Sequence, residues 1–282
     1  MIDKWEKRKI LIWGKTRPEL SMSYKETVCT GGVFEDTKRL VRLYPIPLRY
    51  LDDERYFKKY QWIEAYISKA SRDARKESYK IRADEIRVLD TIEPKSGNWD
   101  ARAEWIFQPE NVFQSIEALQ EAQQRDNTSL GLIKPGEVKE IKIEKVSEKD
   151  KAEFWQRYQA ALQQLELQFE PEPKTGVKPL SPPDFRFKVV FRCDDARCTK
   201  DHEFSVLDWE IDALYFNLKK KGDSPEVASQ KVVSKLRDDV CSPAKDLHLY
   251  LGTMANHPHI FSIVGLWYPK KKPVSNQPSL FD

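Results

Sequence analysis

Short apolar and β-branched runs, broken by glycine and by charge, dominate the first ninety positions. KRKILIWGK (7–15) and YKETVCTGGVF (24–34) have the length and composition of strands, each ending near glycine. KRLVRLYPIPLRYL (38–51) continues the style, with Leu40, Arg42 and Tyr44 on one face and Val41 and Leu43 on the other. The turn-forming EDTK between the second and third runs predicts a hairpin. YQWIEAYISKA and SYKIRADEIRVLD add strand material, so the pattern predicts a small barrel or strongly curved sheet, OB-like or SH3-like, over residues 1–92.

The period then changes. Asn111 opens a helix that carries Val112, Phe113, Ile116 and Leu119 on one side. LGLIKPGEVKEIKIEKV returns to strand, and the run from Ser147 to Phe169 is the clearest helix of the chain. Together these form a mixed segment, 93–169, expected to pack on the barrel. The proline-rich stretch 170–184 reads as an extended connection and places a domain boundary there. Beyond it, residues 185–269 read as an α+β domain: strand FRFKVVFRC, a Cys/His loop, strand EFSVLDWEI, two helices and two closing strands. The second of those helices starts at Ser224 with Pro225 in its first turn. The fold class is therefore α+β, a β-rich N-terminal barrel with a helical middle and a C-terminal α+β domain, followed by a tail at 270–282.

Composition narrows the classes. With 282 residues, 40% hydrophobic and 33% charged, the chain has material for a buried core. It has no apolar run long enough to span a bilayer, and MIDKWEKRKILIW lacks the apolar core of an export signal. A cytoplasmic protein with no membrane partner is the expectation, in which the four cysteines are free thiols or metal ligands rather than a disulfide framework. Net charge is only +3, but its distribution is uneven: 13 Lys/Arg face 6 Asp/Glu between Lys38 and Arg82, against 11 and 18 from Ala83 to Glu170. Such asymmetry can orient a polyanion.

Within the basic region, Arg39, Arg42, Arg49, Arg55, Lys58 and Lys59 interleave with aromatic residues, Tyr44 and Tyr56 among them. Cations neutralise phosphates and aromatic faces stack on unpaired bases, so this stretch is the candidate nucleic-acid surface; the competing reading makes the aromatics barrel core and the charges its solvated shell. FRCDDARCTKDHEF offers Cys193, Cys198 and His202 on one tight loop, thiolate and imidazole donors of the kind zinc takes in a closed structural site. A fourth ligand is missing locally, with Cys241, His248, His257, His259 or a loop carboxylate as possible sources. The alternative is three ordinary core and loop residues. Asp208 and Glu210 share a face if their segment is a strand and could then hold Mg²⁺ for phosphodiester chemistry; otherwise they are acids at a helix start. If the protein is catalytic, these are its candidate catalytic residues. The Glu-x-Lys pairs from Glu137 to Lys142 match a nuclease skeleton but arise readily on any half-exposed strand.

The last residues, QPSLFD, follow a basic, proline-containing stretch. QPSLF resembles the peptide by which bacterial replication and repair proteins bind the sliding clamp: Gln277 matches the anchoring glutamine, Ser279 the small polar position, and Leu280 and Phe281 the apolar pair that enters the clamp's pocket. The resemblance covers six residues and implies the clamp as a partner through 277–282. The expectation is a DNA-associated protein in repair, replication, modification or phage defence. A nucleic-acid-binding adaptor without catalysis, and an enzyme on a small molecule with an incidental tail, are the alternatives.

Overall fold

Strand β1 (Glu6–Lys15) is apolar on successive residues because both of its faces are covered. Ile10 and Ile12 point into one core, while Leu11 and Trp13 point into another. A strand buried on both sides loses the alternation of a half-exposed one, which accounts for the run ILIW. The computed structural model describes residues 4–21, 25–167, 177 and 179–272. Among these, β2 (Glu19–Ser21), β3 (Lys25–Phe34), β4 (Leu40–Ile46), β5 (Gln61–Lys69), β6 (Ser78–Ile81) and β7 (Arg87–Thr91) complete the N-terminal sheet. Its order runs β1-β3-β4-β6-β5, and β5 pairs back on β1, closing a five-strand barrel as the sequence pattern predicts. Inside lie Val28, Phe34, Val41, Leu43, Ile63 and Ile67 with Ile10 and Ile12.

Helix α1 (Asp100–Ile106) and strand β8 (Val112–Phe113) lead into α2 (Ile116–Asp126), whose N-cap Ser115 accepts from the Ala118 amide at 3.2 Å. The segment 130–146, which reads as one strand, is two. Strand β9 (Leu130–Ile133) pairs with the strand His248–Met254, and β10 (Pro135–Lys145) pairs with the strand Phe185–Cys193. Pro135 makes the change possible, since proline is tolerated as the first residue of a new strand. Helix α3 (Glu148–Leu167) follows, then β11 (Phe185–Cys193), β12 (His202–Ser205), α4 (Trp209–Lys220), α5 (Pro225–Ser234), a π-helical turn over Lys235–Val240, and the hairpin β13 (His248–Met254) and β14 (His257–Trp267). Residues 135–145 thus share a sheet with 185–205 across the proline-rich stretch. Phe187 and Val189 of β11, Tyr215 of α4, Val232 of α5, Leu249 of β13 and Ile263 of β14 belong to one C-terminal core.

The barrel's outer face is the seam. Leu11, Trp13, Val33, Leu40 and Trp62 meet Leu130 and Leu132 of β9 and Tyr250, Val264 and Trp267 of the last hairpin. Trp13 stacks on Tyr250 with ring centroids 4.2 Å apart and planes 4° from parallel, and its Nε1 donates to Gly32 O at 2.8 Å. Such a stack adds about 0.5–1.5 kcal/mol beyond area burial. Gly31 permits it, because a Cβ there would overlap the Trp13 ring. No helix among the described residues is long and apolar enough to cross a membrane.

Candidate metal centre and nucleic-acid surface

Strand β11 delivers Cys193 at its last residue, and the turn that follows folds back on it. The Cys198 amide donates to Asp195 O at 2.9 Å, and the Asp195 side chain accepts from the Arg197 amide at 2.8 Å. This places the Cys198 sulfur 3.2 Å from the Cys193 amide, which donates to it. His202 opens β12 opposite Phe191, its ring tilted against those of Phe191 and Phe204. The fourth member comes from elsewhere: Glu117, in the first turn of α2. That helix is anchored on the loop by the Ile116 amide, which donates to Cys193 Sγ at 3.4 Å.

Donor atoms of Glu117, Cys193, Cys198 and His202 all lie within 4.8 Å of one another, and the group could hold a metal ion. Cys198 Sγ is 3.3 Å from His202 Nε2, which is 3.4 Å from Glu117 Oε1. The other carboxylate oxygen, Oε2, is buried without a hydrogen-bond partner. Burial pushes the Cys193 thiol up to about 12, and it lowers the His202 pKa despite the facing carboxylate of Glu117. Two buried thiols, an imidazole and a half-orphaned carboxylate are a costly assembly alone and a complementary one around a cation. Sequence reading found three of the four. Glu117 stands 76 positions before Cys193, in the first turn of α2, with no local spacing that ties it to the loop. The proposed alternatives sit elsewhere: Cys241 against the C-terminal core, His248 edge-on to Phe107, and His259 with Nδ1 3.2 Å from Gln123 Oε1.

Asp208 and Glu210 do not share a strand. Strand β12 ends at Ser205, and Asp208 is the N-cap of α4, its Oδ1 accepting from the Glu210 amide at 2.8 Å. Lys59 reaches across the seam to both, 3.7 Å from Asp208 Oδ2 and donating to Glu210 Oε2 at 3.0 Å. It also donates to Leu266 O at 3.3 Å. Burial alone would lower the Lys59 pKa, but Asp208, Tyr60 and Glu210 raise it above the ordinary value. Burial pushes the Asp208 carboxyl up, against the opposing pull of Lys59, and Lys59 is the cation that both acids contact.

The same geometry removes two residues from the expected nucleic-acid surface. Lys59 is enclosed behind Glu210, and Arg42 is only 4% exposed. Arg42 faces outward from the barrel as the alternation requires, but that face is covered by the second sheet. Its Nη1 donates to Cys29 Sγ at 3.4 Å and its Nη2 to Ser129 O at 3.2 Å. Arg49 pairs with buried Glu26 at 3.2 Å, and Arg55 with Asp52 at 2.7 Å. Arg39 and Lys58 remain exposed, as do Tyr44 and Tyr56 at 46% and 43%. On β10, Lys139 and Lys142 pair with Asp201 and Glu203, which makes the Glu-x-Lys stretch a charged sheet face. Gln277, Leu280 and Phe281 lie outside the described residues.

Residues 112–282 match a family model described as domain of unknown function (DUF8757), and residues 6–108 match another described as domain of unknown function (DUF8758). No curated protein matches the chain.

Proposed function

We propose that this chain, which belongs to the family described as domain of unknown function (DUF8757), is a cytoplasmic nucleic-acid-binding protein that a zinc ion holds together and the sliding clamp recruits to DNA. The observation that carries the reading is the rim of the barrel. Tyr44 and Tyr56 are exposed, whereas Tyr50 is half-buried and Phe57, Tyr60 and Trp62 are buried. These exposed rings, with Arg39 and Lys58 also exposed on the barrel, supply stacking faces and phosphate partners, the combination by which small barrels hold single strands. Mg²⁺ chemistry at Asp208 and Glu210 is not part of the proposal, because a divalent ion would have to displace Lys59.

Zinc suits the donor set of Glu117, Cys193, Cys198 and His202. A tetrahedron with Zn–S of about 2.3 Å, Zn–N of about 2.0 Å and Zn–O of about 2.1 Å has S···N and N···O edges of about 3.5 and 3.4 Å. The two corresponding separations in the protein are 3.3 and 3.4 Å. Four protein ligands leave no open position, so the ion's work is structural: it ties α2 to the β11–β12 loop.

Binding of a labelled oligothymidine and of a duplex, each over a range of salt, tests the reading. Affinity for the single strand should fall with salt as counterions are released. Loss of one stacking face, by Tyr56→Ala or Tyr44→Ala, should weaken it roughly 5- to 150-fold, the equivalent of about 1–3 kcal/mol per base. Absence of salt-sensitive binding by the intact protein would refute the nucleic-acid reading. The clamp is tested separately. A variant with Leu280→Ala and Phe281→Ala should lose micromolar binding to a purified bacterial clamp, since two apolar anchors dominate such peptides. Equal binding by both proteins would remove the peptide from the account.

A further inference from the structure

Against the Tyr56 ring, the end of β1 presents a second lysine that the binding surface does not explain. Lys15 is half-buried, and its Nζ donates to Phe57 O at 2.7 Å. The same nitrogen lies 5.3 Å from the centre of the Tyr56 ring and 5.0 Å from that of Phe57. Beyond it stand Lys59, Asp208 and Glu210. Lys59 takes up the two carboxylates through its own contacts at 3.7 and 3.0 Å. Lys15 therefore sits beside a cation whose charge is anchored, with a backbone carbonyl and two aromatic faces as its nearest surroundings.

We propose that Lys15 captures a carbonyl on bound nucleic acid, namely the ring-opened sugar aldehyde of an abasic position, as a reversible imine. This rests on the single-strand reading of the rim. The chemistry needs an amine with a free lone pair. Burial pushes Lys15 down to about 8, Lys59 lowering it further while Glu210 and Asp208 oppose the shift. At pH 7.5 a group of that pKa is neutral in roughly a quarter of molecules, against about one in a thousand for an ordinary lysine. Desolvation and an adjacent cation are the two means by which proteins make a lysine nucleophilic. The neutral amine keeps its hydrogen bond to Phe57 O and directs its lone pair elsewhere. Attack on the aldehyde carbon forms the C–N bond and opens the carbonyl; the two amine protons and the oxygen leave as water, and hydrolysis reverses each step. The exposed Tyr56 ring offers a stacking surface next to the position a missing base would leave empty.

The experiment incubates the intact chain with a single-stranded oligonucleotide carrying one abasic site, in the presence of cyanoborohydride, which reduces an imine to a stable secondary amine. The expected result is one covalent adduct per chain, mapped to Lys15 by peptide mass, forming at a rate that rises with pH around a midpoint near 8. Lys15→Arg should lose adduct by at least tenfold, with unchanged thermal unfolding and unchanged affinity for the undamaged oligonucleotide. Adduct in Lys15→Arg at the level of the parent protein, or spread over exposed lysines, overturns the proposal. Binding of the oligonucleotide with no adduct overturns this inference alone, whereas no binding at all overturns the reading on which it rests.

Discussion

Removing the metal should cost the protein about 5 kcal/mol and lower its melting temperature by about 10–20 °C, the conversion expected for a chain of this size. The ion's free energy is folding free energy to the extent that the site does not exist in the unfolded chain. Two contributions add here. One is loop closure, because the site joins Glu117 of α2 to Cys193, 76 residues later, through a single point. The other is local: without a cation, Cys193 and Cys198 are buried thiols beside a carboxylate oxygen that has no partner. The C-terminal core supplies independent cohesion through Phe187, Val189, Tyr215 and Leu249, so the apo protein should be loosened rather than unfolded. Metal analysis should find one zinc per chain, and scanning calorimetry with and without a chelator should give the shift. Cys198→Ser and Glu117→Ala should each reproduce most of it and abolish the response to chelator. Metal-free protein whose melting is indifferent to chelator would exclude the centre. An ion held by these residues should be lost as pH falls, because protons compete for His202, Cys193 and Cys198.

Asp208→Ala should destabilise the fold by about 3–5 kcal/mol in urea unfolding. Asp208 is 2% exposed and faces Lys59 across the seam between barrel and C-terminal domain. Truncating one member of a buried ion pair is the expensive case, and here it leaves Lys59 with only the half-exposed Glu210 as its carboxylate. Loss of the N-cap of α4 adds about 1 kcal/mol to that figure. Asp208→Asn retains a cap and should recover only that smaller part. A double variant, Asp208→Asn with Lys59→Met, removes the Lys59 charge as well and should be markedly more stable than Asp208→Ala. A loss below about 1 kcal/mol in Asp208→Ala would mean that the pair is solvated and the seam more open than described.

How much of this was legible beforehand follows from the range of each signal. Local signals read correctly: the strands of the barrel, the cap at Ser224 with Pro225, and the loop that gathers Cys193, Cys198 and His202. Glu117 could not be read, because its partnership is created by the docking of a helix on a hairpin and leaves no spacing in the chain. Arg42 was placed on the right face of β4, yet alternation cannot tell whether an outward face meets water or a second sheet. Lys59 lies in the turn before β5, and nothing local in the chain shows that it reaches Asp208 and Glu210 about 150 positions later. The stretch VLDWEI is too short to separate a period of 2 from one of 3.6, so the sequence leaves Asp208 open between a strand residue and an acid at a helix start. Pro135 was taken as internal to one strand when it begins another, and only the pairing partners of β9 and β10 distinguish those cases.

The seam also has a history during synthesis. The barrel's strands are complete at Thr91, but the hairpin whose Tyr250, Val264 and Trp267 cover its outer face ends at Trp267. At ribosomal speeds of about 5–20 residues per second, that interval lasts about 9–35 s. For that time a finished barrel would display Leu11, Trp13 and Trp62 to solvent, an adhesive face awaiting its own second sheet. Slow translation of the second half would lengthen the exposure, and a chaperone that shields aromatic surfaces would find its substrate here.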